Sequence, residues 1–246
     1  DSEGCQFTDL GDRTAMFQQW VNPVTGTICD IPFSRQTLGN DCFLCMDATA
    51  GIGKCVLTQS IVSSVDAIWF SGHKFNGPKT GGILWVSDRL SKLYLSDDSR
   101  NEYGLKHGTL DVPSFIATTC ALEYTLGNDI ENIWHYAGLN DYLSNRAGNR
   151  IVNFKQYAND QLNATVLIDT GCNADVLVQY LSSKDIYVGL AHSACSADAD
   201  YRVTQAFGIS KETAERCIRV SFSEDNTFED IDALVDGIKE FKEKFV

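Results

Sequence analysis

Short apolar runs separated by polar or helical stretches constrain the fold of this chain more than any other feature. The first part of the sequence contains these: TAMFQQWV (14–21), CFLCMDA (42–48), DAIWFS (66–71) and GGILWV (81–86). Runs of this length, apolar on successive residues, are typical of strands that are buried on both faces. They predict an α/β sheet, and the two stretches that follow, 112–126 and 129–147, are predicted to be helices.

From about residue 150 the pattern changes to that of a smaller α+β unit. Strands are predicted at 163–169, 186–191 and 217–223, and a helix at 173–184. The final helix is the most clearly marked, because Thr227 and Asp230 have the spacing of a capping box. Apolar residues then recur at helical spacing from Ile231 to Phe245. We therefore predict two domains, residues 1–150 and residues 151–246.

Composition narrows the class of partner. Of the 246 residues 43% are hydrophobic, as in globular proteins, and the formal net charge is −13. That charge argues against a general nucleic-acid binder and against an anionic membrane surface. No apolar run approaches the roughly 20 residues that a membrane-spanning helix needs. We accordingly expect neither nucleic acid nor membrane among the partners.

The nine cysteines are odd in number and irregular in spacing, and several lie inside apolar segments. This pattern indicates free thiols in a reducing compartment, and we predict a cytoplasmic location. An organelle such as the mitochondrion is the alternative, because the chain lacks a starting Met and is expected to be an N-terminally truncated form. Cys42 and Cys45 have the spacing of a zinc or redox pair but no second pair follows, so we interpret them as core thiols and predict no metal site.

The gap between the last two apolar runs of the sheet contains a histidine and a lysine, in SGHKFNGPKTGG. A lysine at the end of a buried strand is expected to be partly desolvated, which lowers its amine pKa and allows it to form a Schiff base. A salt-bridged lysine is the plainer interpretation of Lys74. Ser71 and His73 are donors of the kind that bind phosphate, and the glycines allow a close backbone turn.

Asp47 ends the apolar run CFLCM, where an unpaired carboxylate is costly. A protonated pyridine nitrogen would offset that cost, and the ion pair would keep the ring protonated as an electron sink. Taken alone, Asp47 is more simply interpreted as the N-cap of a helix formed by ATAGIGK.

Four segments in collinear order resemble class V pyridoxal-phosphate-dependent enzymes, and most closely the cysteine desulfurases. They are MDATAGIGK, SSVDAIWFSGHKFNGPKTGGILWV, NEYGLKHGTLDVPSF and VGLAHSACSADADYRVTQAFGISKETAERCIRVSFSEDNTFEDID. The resemblance implies the fold type I architecture of pyridoxal-phosphate transferases, related to aspartate aminotransferase. Residues 1–150 would be part of the large domain, with its dimer-forming helices, and residues 151–246 the small domain that carries a cysteine loop. It also implies pyridoxal 5'-phosphate as cofactor and L-cysteine as substrate.

The resemblance implies roles for individual cofactor-binding residues. Lys74 would hold the cofactor covalently and later move the substrate's α-proton, and Asp47 would pair with the pyridine nitrogen. Ser71 and His73 would bind the phosphate, and His73 adjoins the catalytic lysine. Asn22 is a further cofactor-binding candidate, because it precedes the position at which the family has an asparagine facing the ring hydroxyl.

Three more residues receive roles in the same way. Thr109 would reach the phosphate bound by the other subunit, which implies a homodimer. Arg219 would bind the substrate carboxylate, although a surface arginine at a strand end is the simpler interpretation of its position. Cys195 would act as the loop thiol that takes sulfur from cysteine as a persulfide, releases alanine and delivers sulfur to an acceptor or scaffold protein. Iron–sulfur clusters or sulfur-containing cofactors would be the destination.

The sequence also departs from the family pattern. Pro23 and Ala50 stand where the family has an asparagine and a glutamine that contact the ring hydroxyl, and Tyr103 and Lys106 replace arginines near Thr109. The family's N-terminal phosphate-binding turn has no counterpart. The chain is therefore a segment of a longer divergent enzyme, a degraded non-catalytic copy that acts as a scaffold, or a member with another class V reaction, such as a selenocysteine lyase or an aminotransferase. We favour the first, because Lys74, Asp47, Cys195 and Arg219 are all retained.

Overall fold

The computed structural model describes residues 6–9, 14–94, 102, 105, 108–152, 160–192 and 201–246. Its strands are β1 (Gln6–Asp9), β2 (Thr14–Gln19), β3 (Thr27–Ile28), β4 (Cys42–Asp47), β5 (Ala67–Ser71), β6 (Gly82–Val86), β7 (Ile151–Val152), β8 (Asp160–Gln161), β9 (Thr165–Asp169), β10 (Gly189–Leu190) and β11 (Cys217–Ser221). Its α-helices are α1 (Ile31–Leu38), α2 (Gln59–Ser64), α3 (Asp88–Tyr94), α4 (Val112–Gly127), α5 (Asp129–Ala147), α6 (Ala174–Ser182), α7 (Arg202–Ala206), α8 (Lys211–Ala214) and α9 (Phe228–Phe245).

Internal contacts divide the chain into two compact units. The first comprises Glu3–Val21 and Cys29–Asp129, and the second comprises Asn22–Ile28 and Ile130–Val246. The division lies ahead of the predicted boundary at residue 150. Helix α5 accounts for the difference, because its Tyr142 hydroxyl donates to Asp232 of α9 at 3.0 Å and so ties the helix to the second unit.

The first unit contains a mixed sheet in the order β1-β2-β4-β5-β6. Strands β2, β4 and β5 are parallel, while β1 and β6 pair antiparallel at the two edges. The central strand β4 is buried from Cys42 to Met46, which explains its continuous apolar run. The predicted α/β sheet and both predicted helices after it are confirmed, helix α4 and helix α5 matching within two residues.

Strand β6 differs from the prediction. GGILWV was predicted to form a buried strand, yet Leu84 is 52% and Trp85 is 40% exposed. The reason is its position in the sheet, because among the described strands β6 hydrogen-bonds only to β5 and so lies at the edge. An apolar run cannot by itself distinguish a central strand from an edge strand.

A buried carboxylate joins the elements of this unit. Asp66, 4% exposed, lies just before β5 and accepts hydrogen bonds from the Leu44 N–H at 3.0 Å and from the Arg35 guanidinium. Ser87 donates at 3.3 Å, and Arg89 lies 3.5 Å from the other carboxylate oxygen. The charge is therefore both paired and hydrogen-bonded, as a buried charge must be.

The second unit contains an antiparallel sheet in the order β10-β11-β9-β7, and β3 pairs with β8. The predicted strand at 186–191 is only partly confirmed, since pairing is confined to Gly189 and Leu190. Asp185 turns the chain with a φ of 61°, and Tyr187 after it is 76% exposed.

The predicted capping box is confirmed in helix α9. The Thr227 hydroxyl accepts from the Asp230 N–H, and the Asp230 carboxylate accepts from the Thr227 N–H. The predicted apolar face is buried from Ile231 to Phe241, while Phe245 in the last turn is exposed. Across the described ranges, no helix combines the length and the apolar character that crossing a bilayer requires.

Candidate active site

The carboxyl ends of parallel strands bring two of the predicted site residues to one edge of the sheet. Asp47 is the last residue of β4, and Ser71 is the last residue of the neighbouring parallel strand β5. A short 3₁₀ helix, Gly72–Lys74, follows directly. Ligands of α/β sheets bind at the carboxyl ends of the strands, so this edge is the place where a site is expected.

Asp47 lies half-buried beside aromatic side chains. It is the register partner of Gln19 on β2 and of Trp69 on β5, so the three side chains share one face of the sheet. The rings of Phe17 and Trp69 approach to 6.1 Å between centroids on that face. Among the described residues, Asp47 forms no ion pair. A cationic planar ring would therefore find a carboxylate next to an apolar surface.

The alternative interpretation of Asp47 as a helix N-cap is wrong. Residues 48–55 contain turns and an isolated bridge between Ile52 and Cys55, and no helix begins there. The Asp47 Oδ1 instead accepts the Thr49 N–H at 2.9 Å, which closes a local turn. Only one oxygen of the carboxylate is used in this way.

The backbone around Lys74 is held tightly. The Gly72 N–H donates to the Gly81 carbonyl at 2.9 Å, and the Gly77 N–H donates to the Gly72 carbonyl at 2.8 Å. Gly81 packs against Thr118 of α4 so closely that a Cβ there would lie 2.0 Å from the Thr118 Oγ1. The glycines thus allow the turn to close against the helix, and Lys74 projects from a rigid support.

The side chains on that support are more accessible than predicted. Lys74 and His73 are both exposed, and Ser71 is half-buried. The expectation that Lys74 is partly removed from water is therefore wrong, because the residues that the structure describes leave its side chain exposed. The physical reason lies in the neighbouring strand, because β6 is an exposed edge strand and does not enclose the turn.

Thr109 also lies in the first unit and is exposed. Its predicted role concerns a second subunit and stays a prediction. The predicted loop thiol Cys195 lies outside the described residues, as do Tyr103 and Lys106. On either side of residues 193–200, the rings of His192 and Tyr201 meet edge to face at 5.6 Å.

Arg219 and Asn22 belong to the second unit. Arg219, on β11, is half-buried and its Nη1 donates to the Pro23 carbonyl at 3.3 Å. Asn22 is buried, and its Oδ1 accepts from the Val24 N–H at 2.9 Å and from the Thr25 N–H at 3.1 Å. The side-chain oxygen of Asn22 closes its own loop, which favours a structural role over the predicted contact with the cofactor.

The cysteines that the structure describes differ in how far their thiols are buried. Burial raises the pKa of Cys45 to about 11 and that of Cys217 to about 12, so neither is a thiolate at neutral pH. Cys42 is also buried, which confirms the interpretation of Cys42 and Cys45 as core thiols. Cys120 is exposed on α4, although it lies inside an apolar stretch of the sequence.

Sequence reasoning did not predict the packing of two residues that contact predicted site residues or the turn that carries one of them. Thr118 supports the turn that carries Lys74, and Gly189 lies against the Arg219 guanidinium. The glycines in SGHK (71–74) and TGG (80–82) indicate close packing near the lysine. They do not indicate which helix packs there. Nothing in the sequence around Gly189 indicates which side chain packs on it.

Comparisons with known proteins show the family to which the chain belongs. The family model described as aminotransferase class-V matches residues 8–234. The chain is 27% identical over 241 residues to the NifS/IcsS protein homolog of Lactobacillus delbrueckii subsp. bulgaricus, covering 95% of this chain and 62% of that protein. It is 30% identical over 227 residues to cysteine desulfurase IscS of Buchnera aphidicola subsp. Schizaphis graminum, covering 89% of this chain and 55% of that protein.

Solved structures show the same fold. A structure titled NIFS-LIKE PROTEIN superposes with a TM-score of 0.78 at 24% identity, covering 93% of this chain and 61% of that one. The NifS-like protein from Rickettsia africae ESF-5 superposes with a TM-score of 0.75 at 20% identity, covering 92% and 61%. The predicted fold type I architecture is confirmed. The chain spans 62% and 55% of the lengths of the two curated relatives.

Proposed function

We propose, on the premise that this chain belongs to the aminotransferase class-V family, that the whole protein is a cysteine desulfurase dependent on pyridoxal 5'-phosphate. It would convert L-cysteine to alanine and carry the sulfur as an enzyme persulfide. The observation that supports the proposal best is the placement of Asp47 and of Ser71–Lys74 at the carboxyl ends of adjacent parallel strands.

The residues at this edge fit the chemical groups of the cofactor, and enzymes of this family are pyridoxal 5'-phosphate enzymes. The Asp47 carboxylate, without an ion-pair partner among the described residues, would bind the protonated ring nitrogen. Ser71 and His73 would donate hydrogen bonds to the phosphate, and the Lys74 amine would hold the aldehyde carbon. The bound cofactor supplies an electron sink for the bonds at the substrate's α-carbon.

The remaining steps depend on residues of this chain. The Lys74 Nζ would take the α-proton of the substrate and return a proton, and the fixed turn beneath it limits the positions that the amine reaches. The Arg219 guanidinium would hold the substrate carboxylate with two parallel N–H bonds, which sets the orientation of the amino acid. Both are positioning and proton-transfer tasks that the described side chains suit chemically.

Sulfur transfer would require the Cys195 thiolate. Its Sγ would attack the substrate sulfur, so that an S–S bond forms and the substrate Cβ–S bond breaks. The electron pair of that bond stays with the substrate carbon, which takes up a proton and leaves as alanine. A sulfur acceptor or scaffold protein would then receive the persulfide sulfur for iron–sulfur or related cofactors.

For the whole protein we also propose a homodimeric assembly and a cytoplasmic location. A homodimer would allow Thr109 of one subunit to reach the phosphate bound by the other. Free thiols such as Cys42, Cys45 and Cys217 suit a reducing compartment, and we propose the cytoplasm.

The test is cofactor attachment, followed by turnover of cysteine. The full-length protein is incubated with pyridoxal 5'-phosphate, reduced with borohydride and mapped by mass spectrometry. We expect the label on Lys74 and its loss in Lys74→Ala, while Lys79→Ala, an exposed lysine of the same turn, serves as the matched control and keeps the label. Label on Lys79 instead would contradict the proposal.

Turnover then separates the remaining alternatives. Alanine release from L-cysteine that disappears in Cys195→Ser, with the cofactor still attached, is the result expected for a desulfurase. Alanine release that persists in Cys195→Ser would favour another class V reaction. Failure to bind the cofactor at all would favour a non-catalytic scaffold.

A further inference from the structure

The guanidinium of Arg219 lies against the backbone of the neighbouring strand. Arg219 on β11 is the register partner of Gly189 on β10, so side chains at these two positions extend from the same face. A Cβ built on Gly189 would lie 3.0 Å from the Arg219 Nη2 and 3.2 Å from Nε. The guanidinium would therefore have to shift by a few tenths of an ångström to admit a side chain at position 189.

A second contact fixes the far end of the same guanidinium. Arg219 Nη1 donates to the Pro23 carbonyl at 3.3 Å. The direction of that carbonyl is set by Asn22, whose side-chain oxygen accepts from the two N–H groups that follow Pro23, those of Val24 and Thr25. The Gly26 N–H closes the loop by donating to the Asn22 carbonyl at 2.9 Å.

We propose that Gly189 and Asn22 are positioning residues that hold the Arg219 guanidinium in the orientation that receives the substrate carboxylate. The inference rests on the proposed function, in which Arg219 binds that carboxylate. Neither residue needs to touch the substrate. Gly189 provides the space for the guanidinium, and Asn22 holds the Pro23 carbonyl that orients it.

The physical reason is preorganisation. A free arginine side chain samples many rotamers, and ordering it upon binding reduces affinity. The bond to the Pro23 carbonyl uses one of the five N–H donors of a guanidinium, and it leaves the positive charge of the group unchanged. A fixed guanidinium thus favours binding of an α-amino acid without taking part in bond breaking.

The main test compares Gly189→Ala with Gly138→Ala. The φ of Gly189 lies outside the left-handed region, so alanine is compatible with its backbone, and the added methyl group shifts the guanidinium by a few tenths of an ångström. At Gly138, on α5, a Cβ meets nothing within 4 Å, which makes it the control for a glycine-to-alanine change in the same unit. In the full-length enzyme we expect Gly189→Ala to raise KM for L-cysteine about tenfold with kcat nearly unchanged.

A double-mutant cycle separates positioning from general damage. In an Arg219→Ala background, Gly189→Ala should change KM by less than about twofold, because no guanidinium remains to be displaced. An equal rise in KM in both backgrounds would overturn the inference and assign Gly189 a structural role, such as a hinge for the segment that follows it.

An activity-independent measurement makes the inference separable from the proposed function. Phenylglyoxal modification of Arg219, followed by peptide mass spectrometry, should be several-fold faster in Gly189→Ala than in the wild type or Gly138→Ala. Asn22→Ala should accelerate it as well. Unchanged labelling in both variants would overturn the inference even in an active desulfurase. If the wild type releases no alanine, the proposed function fails, and the labelling rates still decide whether these residues position Arg219.

Discussion

Two aspartates of the first unit lie at opposite ends of adjacent parallel strands and differ in burial and in hydrogen bonding. Asp66 precedes β5, is buried, and receives hydrogen bonds from Arg35, Ser87 and the Leu44 N–H. Asp47 ends the adjacent strand, is half-buried, and accepts only the Thr49 N–H among the described hydrogen bonds. The paired charge stabilises the fold, whereas the unpaired one remains available for a ligand.

The comparison extends to two basic residues of the first unit, Arg35 on α1 and Lys74 in the 3₁₀ helix after β5. Arg35 binds Asp66, Ser64 and Cys42 and closes the amino-terminal side of the sheet. Lys74 projects from a rigid turn into solvent on the other side. The charges at one end of these strands are paired with each other, whereas those at the other end are the ones that we propose bind the cofactor.

The largest expected effect comes from Asp66. Asp66→Asn removes the charge while leaving the Arg35 guanidinium mostly buried, and we expect a loss of about 3 kcal/mol in the free energy of unfolding. Urea denaturation followed by circular dichroism measures it. Asp47→Asn is the matched control at the other end of the sheet. A loss below 1 kcal/mol for Asp66→Asn would contradict the view that this network holds the unit together.

A substitution at Gly81 measures how much the close packing of the turn that carries Lys74 contributes to stability. Gly81→Ala would drive a methyl group into Thr118, and we expect a loss of about 2 kcal/mol in unfolding free energy. Combining it with Thr118→Ala, which removes the clashing oxygen, should recover part of that loss. A double variant that is less stable than the sum of the two single variants would show that Thr118 is not the obstacle.

The ion pair between Asp169 and Arg216, in the second unit, is more exposed than the network around Asp66. Burial alone would raise the pKa of Asp169, but the hydrogen bonds donated by Arg216 and by the Gly171 N–H, together with the Arg216 charge, hold the pKa below its ordinary value. A carboxylate with a depressed pKa stabilises the fold above its unfolded-state pKa, about 3.9, and loses that effect as the pH falls through its folded-state pKa.

We therefore expect Asp169→Asn to cost about 0.5–1 kcal/mol at pH 7, since the pair is partly exposed. The difference from the wild type should shrink as the pH falls below about 4. Denaturation curves recorded from pH 7 to pH 3 measure this. A difference that stays constant over the range would mean that the charge of Asp169 is not the cause.

The smallest effect on stability is expected for Asp47→Asn. The amide oxygen can still accept the Thr49 N–H, so the free energy of unfolding should change by less than about 0.5 kcal/mol. Affinity for pyridoxal 5'-phosphate should fall, because the ring nitrogen loses its anionic partner. Titration of the full-length protein with the cofactor, followed by absorbance, measures the affinity. Unaltered affinity would remove Asp47 from the proposed site.

The sequence by itself predicted strands β2, β4, β5 and β6, the four longest of the described helices (α4, α5, α6 and α9) and the capping box of α9. Apolar runs and helical spacing are local properties, and burial of β4 or of the α9 face follows directly from them. The same local order places Asp47 and Ser71 at strand ends, so the residue types of the candidate site were accessible from the sequence.

Only the tertiary structure decided which strand is central and which lies at an edge, because that depends on pairing between distant segments. The exposure of Leu84, Trp85 and Lys74 follows from the edge position of β6. Tertiary packing likewise places Gly189 beneath the Arg219 guanidinium and commits the Asn22 oxygen to its own loop. The sequence around a glycine or an asparagine does not indicate which residue it will contact. That contact depends on the register of the strands and on how the loops close.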